Sequence, residues 1–113
     1  MQVLGRVDDV IVTGGVNVVP AEVEAVLAAD PAIAAACVVG IPDPSWGQRL
    51  VAAVVPADPD RPPVVAGVLA AARKRLSGPQ TPKQLLVVGA LPLREVGKPD
   101  RRAVAELLRR ELG

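Results

Sequence analysis

The chain has 113 residues, a length that suits one domain rather than two. Half of its residues are hydrophobic, yet it contains no Phe or Tyr and a single Trp, so its core must be a thin one of Val, Leu, Ile and Ala. Thirteen Lys and Arg against twelve Asp and Glu leave a net charge of +1, without the basic excess that autonomous duplex binding needs.

Cys37, the single cysteine, lies in the apolar run Ala-Ala-Cys-Val-Val, which excludes an intramolecular disulfide and a cysteine-based zinc site and fits a reducing, cytoplasmic compartment. The start Met-Gln-Val-Leu-Gly-Arg has no apolar stretch long enough for a signal peptide. No run of about 18 apolar residues suggests a membrane span.

In chain order, Val10-Ile11-Val12 reads as a strand stopping at Thr13-Gly14-Gly15, a strand-to-helix turn. Pro20 opens a first helix, with Val23, Val26 and Leu27 at helical spacing and Glu22 and Glu24 near its positive end; it closes near Asp30-Pro31. The valine-rich segments from Ile33 to Gly40 and from Leu50 to Val55 are two strands. The stretch from Ile41 to Gln48, with two prolines and a glycine, reads as the loop joining them as antiparallel neighbours. Pro56 to Pro63 is a surface loop. Val65, Val68, Leu69, Ala72 and Leu76 stripe a second helix that closes at Ser77-Gly78-Pro79. A further strand covers Leu85 to Val88. From Pro99, Val104, Leu107, Leu108 and Leu112 mark a third helix. Three helices and a sheet of about three strands make a small, mixed α+β domain.

Few residues point to chemistry on local grounds. Gly14-Gly15 serves a turn, or lets a ligand approach the backbone. Lys98 precedes Pro99, a residue suited to the first helical position, so it is either a phosphate-facing lysine beside a helix N-terminus or a solvated lysine in a turn. Asp8 and Asp9 pair acidic groups, but the chain has no histidine for an Asp-His relay. Trp46 flanks a ligand or covers the end of the core. Arg101, Arg102, Arg109 and Arg110 give the third helix a basic face, which meets a phosphate or an acidic partner surface or, as is commoner, is simply solvated.

Read in order, the segment from Gly5 to Glu24, then Val38-Val39-Gly40-Ile41-Pro42-Asp43 with Trp46-Gly47, Pro82-Lys83, Leu91-Pro92 and Gly97-Lys98 resembles the small C-terminal domain of adenylate-forming, AMP-binding acyl-CoA ligases. The resemblance covers about residues 3 to 112. It departs from the family pattern at Val16, where an acidic residue is common, at Pro79-Gln80, where Tyr-Lys is common, and at Leu93, where arginine often follows Leu-Pro. Within the family, Ile11 to Gly15, Leu91 to Arg94 and Gly97 to Arg102 are most similar to o-succinylbenzoate-CoA ligases of menaquinone biosynthesis, with fatty-acid and aryl-acid ligases as competitors.

The resemblance implies a lid domain that adopts two orientations over a large N-terminal adenylation domain, with ATP and coenzyme A as co-substrates, a carboxylic acid as substrate, and Mg2+ held with ATP outside this domain. It implies Lys98 as the catalytic lysine of adenylation, Asp8 as the hinge, Arg6 as a contact to ATP or AMP, and Gly14 and Gly15 as the lining of the coenzyme A pantetheine passage. The isolated domain, without a phosphate loop or acyl pocket, would be inactive. Two other classes stay open: a stand-alone α+β binding module, which needs a basic groove or stacking aromatics, and a fragment that only docks onto another protein.

Overall fold

A computed structural model describes residues 10–45, 47–78, 80–95 and 98–112, with 93–95 and 98–99 described by their backbone. The first element is a hairpin of β1 (Ile11–Thr13) and β2 (Val16–Val18), paired antiparallel with Thr13 opposite Val16. Gly14 and Gly15 form its two-residue turn, at φ 59° and 81°. A primed turn needs positive φ at both central residues, a conformation glycine adopts without a Cβ penalty. The pair therefore joins strand to strand, and the sequence expectation of a strand running directly to a helix is corrected by β2.

Helix α1 (Pro20–Ala28) starts with Pro20 at its first positions and an extended Val19, and it buries Pro20, Val23 and Leu27. It ends before Pro31, where the Asp30 carboxylate accepts the Ala32 N–H at 2.9 Å.

Strands β3 (Ile33–Asp43) and β4 (Gly47–Pro56) pair antiparallel, from Ile33 opposite Pro56 to Asp43 opposite Gly47. They absorb most of the segment expected as a loop. Pro42 is tolerated because β3 lies at the edge of its sheet, where a missing N–H costs no ladder bond. The reversal after Asp43 is held by the Ser45 N–H donating to Asp43 Oδ1 at 2.8 Å, and Gly47 takes φ 79°.

Helix α2 (Val65–Arg73), shorter than its apolar stripe, provides the crossover that lets β5 (Gln84–Val87) run parallel to β4. The three-stranded sheet has the order β3-β4-β5. A second small hairpin, β6 (Leu93–Glu95) with β7 (Lys98–Pro99), leads into helix α3 (Arg101–Leu112). The result is an α+β fold with three helices and a mixed three-stranded sheet.

Both faces of that sheet are covered, which is why β3 and β4 read as continuous apolar runs rather than alternating ones. Val38, Leu50, Ala52, Val54 and Leu85 face α1, α2 and the β1-β2 hairpin, whose Ile11 and Val18 join the same cluster. Cys37, Val39, Ile41, Val51 and Ala53 face α3 through Val104 and Leu108.

Candidate functional site

Lys98 lies in β7, with its backbone opposite Glu95 and that of Pro99 opposite Leu93. The Asp100 N–H then donates to Pro92 O at 2.8 Å, closing the hairpin onto the residue that starts it. The Asp100 carboxylate accepts the Ala103 N–H at 3.2 Å, and its carbonyl accepts the Val104 N–H at 2.9 Å. Those two bonds make Asp100 the N-cap of α3. Pro99 therefore ends a strand instead of opening the helix, a correction with a plain cause: aspartate following proline offers the N-terminal amides a side-chain acceptor. Lys98 stands three positions before the first residue of the helix, and one of the N-terminal amides is already occupied by Asp100.

Gly14 and Gly15 sit at the tip of the β1-β2 hairpin, and a Cβ added to Gly15 would meet nothing within 4 Å. The turn's positive φ is thus sufficient reason for glycine at position 15. The hairpin is anchored by Ile11 and Val18 to the sheet face that carries α1 and α2, whereas β7 runs into α3 on the opposite face. The two glycines thus sit on a hairpin packed against the α1 and α2 face, and the backbone of Lys98 on a separate hairpin that leads into α3. Arg6, Asp8 and Trp46 lie outside the described residues.

Two polar clusters were not foreseen. At one sheet edge the Arg101 guanidinium donates from Nη1 to Glu24 Oε2 at 2.5 Å and to Val38 O at 2.9 Å, and from Nη2 to Glu24 Oε1 at 3.1 Å. Glu24 Oε2 also accepts the Val38 N–H at 2.8 Å. Arg101 is therefore half-buried and bound to the sheet edge, where the sequence expectation is a solvated basic face. Glu24, in the middle of α1, and Arg101, the first residue of α3, are 77 positions apart, and nothing local links them.

At the other end, Arg49 pairs with Asp43 at 3.6 Å, donates from Nε to Gln84 Oε1 at 3.1 Å and reaches the Leu112 carbonyl at 3.4 Å. It fastens the ends of β3 and β4 to β5 and to the negative end of α3. Beside it lies a groove of about 560 Å³ lined by Ile41, Pro42, Arg49, Glu106, Arg109 and Arg110.

Burial pushes the Cys37 thiol up from its ordinary 9.0 to about 11, against the pull of the nearby Arg101 guanidinium and with smaller upward pushes from Glu24 and Asp100. It is a packed, protonated thiol, not a nucleophile. Among the described residues no three His, Cys, Asp or Glu side chains converge as metal ligands. No helix of the described residues is long and apolar enough to cross a membrane.

A three-stranded sheet with α1 and α2 on one face and α3 on the other is the architecture of a domain found in adenylate-forming enzymes. Apo MatB from Rhodopseudomonas palustris matches 97% of this chain with a TM-score of 0.89 and 31% sequence identity, over 22% of its own length. The family described as the AMP-binding enzyme C-terminal domain matches residues 22–98, and this chain belongs to that family. Among curated relatives, the medium/long-chain-fatty-acid–CoA ligase FadD8 of Mycobacterium tuberculosis is 47% identical over 108 residues, 90% of this chain and 19% of that protein. A probable 2-succinylbenzoate–CoA ligase of the same organism is 42% identical over 104 residues, 92% of this chain and 27% of that protein. The chain thus spans about a fifth to a quarter of the length of the relatives it matches.

Proposed function

We propose that the chain is the C-terminal lid domain of an ATP-dependent, AMP-forming carboxylic acid–CoA ligase, working against a large N-terminal adenylation domain. The observation that carries the reading is the family match over residues 22–98, which includes Lys98, together with a fold shared over 97% of the chain with MatB.

In the first half-reaction a carboxylate oxygen attacks the α-phosphorus of ATP. The bond to the bridging oxygen breaks, pyrophosphate leaves with the electron pair, and acyl-AMP forms. Negative charge gathers on the phosphoryl oxygens, and the Lys98 ammonium neutralises it, while Arg6 contacts the nucleotide. In the second, the lid turns about Asp8 and the Gly14-Gly15 turn borders the pantetheine passage. The coenzyme A sulfur attacks the acyl carbon, AMP departs, and the thiol proton passes to solvent. The placement of Gly14-Gly15 and of Lys98 on two separate hairpins supports two orientations, because one body then carries two different tools.

The preferred acid is o-succinylbenzoate, the substrate class of the ligases whose Leu91 to Arg94 and Gly97 to Arg102 motifs this chain resembles. The second reading is a medium- or long-chain fatty acid, favoured by the 47% identity to FadD8.

The reading frame is expected to continue on the N-terminal side into an adenylation domain. In that full-length enzyme Lys98→Ala should slow pyrophosphate release by about 10²- to 10³-fold, while thioester formation from preformed acyl-AMP falls by less than about tenfold. Equal losses in both half-reactions would overturn the lysine assignment. Full-length protein that makes no acyl-CoA from any carboxylic acid would overturn the ligase reading.

A further inference from the structure

The Glu24–Arg101 pair does more than join two helices. Strand β3 is an edge strand, and Val38 turns its N–H and its C=O away from β4. Glu24 accepts that N–H, Arg101 donates to that C=O, and the two side chains close the ring with a bidentate contact to each other. The carboxylate and guanidinium thereby act as the missing neighbouring peptide, satisfying both backbone groups of one residue.

As a source of stability this is modest. The Arg101 and Glu24 side chains keep 36% and 19% of their exposure, and ion pairs that water still reaches contribute little. As a source of geometry it is strong, because a forked donor against a carboxylate and a carbonyl fixes direction as well as distance.

Arg101 is the first residue of α3, three positions after Lys98. Between them Pro99 has a fixed φ, and Asp100 is held by its N–H to Pro92 and its carboxylate to Ala103. Little backbone freedom separates the clamp from the lysine. A charge-neutralising lysine is sensitive to misplacement by as little as an ångström.

We propose that the Glu24–Arg101 clamp on the Val38 peptide is the positioning device of Lys98, holding the lysine-bearing hairpin to the sheet edge so that it moves with the domain as one body. The inference rests on the lid reading for its catalytic consequence, and on the clamp geometry alone for its structural one.

Two measurements test it separately. By hydrogen exchange on this chain, Arg101→Gln should speed the Asp100 and Ala103 amides by about tenfold or more while the Val51 and Ala53 amides keep their rates; Arg102→Gln, one residue along, should leave all four unchanged. Equal acceleration at all four in Arg101→Gln would reduce the clamp to general stabilisation and overturn the proposal. If Arg101→Gln does not fold, Glu24→Gln, which keeps the acceptor but removes the charge, should show the same local pattern at smaller amplitude, and uniform acceleration there is equally fatal.

In the full-length enzyme, Arg101→Gln should lower the adenylation rate by about 10- to 100-fold with the KM for ATP nearly unchanged, and thioester formation from acyl-AMP by no more than about threefold. Arg101→Lys, which keeps the charge, should recover part of the loss. Equal losses in both half-reactions would overturn the positioning role. Should Lys98→Ala itself spare adenylation, the lysine assignment falls, and the exchange measurement still decides whether the clamp holds the hairpin.

Discussion

Gly40 lies on β3 where β1 packs across the sheet. A Cβ there would stand 2.7 Å from Ile11 Cγ2 and 3.2–3.3 Å from the Gln48 side-chain amide. Ile11 belongs to the buried cluster under α1 and α2, so its displacement would disturb core packing. Gly40→Ala should therefore cost about 1–3 kcal/mol, read as a lower urea midpoint at unchanged slope. An unmoved midpoint would mean that β1 shifts without penalty. Cys37, on the other sheet face, carries a pH dependence. Its folded-state thiol titrates near 11 against an ordinary 9.0, so the unfolded chain releases the proton first. The stability due to the neutral thiol is complete below about pH 9 and is lost as pH rises towards 11, by at most about 3 kcal/mol at 1.4 per unit. Urea titrations at pH 7 and pH 10.5 should show a smaller alkaline loss for Cys37→Ala than for the parent. Equal losses would place the alkaline sensitivity elsewhere.

Elements that carry a long or repeated signal were legible in the sequence, and those built by distant partners were not. Valine-rich runs announced β3 and β4 because both faces of the sheet are buried, yet Pro42 concealed how far β3 continues, since proline reads as a loop residue until the strand is known to be an edge. Strand β2 was hidden behind Gly14-Gly15, which mark a turn but leave open whether a strand or a helix comes next. The β6-β7 hairpin has strands of three and two residues, too short for any alternation to appear. Helix α3 was plain from its apolar stripe, but its start was assigned to Pro99 because the capping role of Asp100 depends on the hairpin that precedes it. For the candidate site, local pattern marked Lys98 and the two glycines as worth notice, and the roles proposed for them come from a family resemblance. The Glu24–Arg101 clamp had no local signature, because each partner had an ordinary explanation on its own helix and only the fold brings them to Val38. The arginine-lined groove beside Arg49 was invisible for the same reason.

At the scale of the molecule, one small sheet separates two apolar clusters, and strand β4 serves both: Leu50, Ala52 and Val54 point to one, Val51 and Ala53 to the other. Under the proposed function the domain presents its glycine hairpin or its lysine hairpin by turning as a rigid body, with no internal repacking. Rigidity then depends on the weaker side. The cluster under α1 and α2 draws on two helices and a hairpin, whereas the opposite cluster has α3 as its one helix among the described residues, seated by Val104 and Leu108. Among the described residues neither cluster contains an aromatic side chain to make up a shortfall. Leu108 is fully buried in a cluster whose Cys37, Val39, Ile41, Val51 and Ala53 are on strands already committed to pairing, so a truncated side chain leaves a cavity that relaxes only in part. Leu108→Ala should lower stability by about 2–5 kcal/mol, a large share of the total for a domain of this size, with a single cooperative transition retained by both circular dichroism and tryptophan fluorescence. A loss under about 1 kcal/mol, or an early separate transition in which helical signal disappears first, would show that α3 detaches from the sheet. Lys98 would then be carried on a mobile arm instead of on a rigid body.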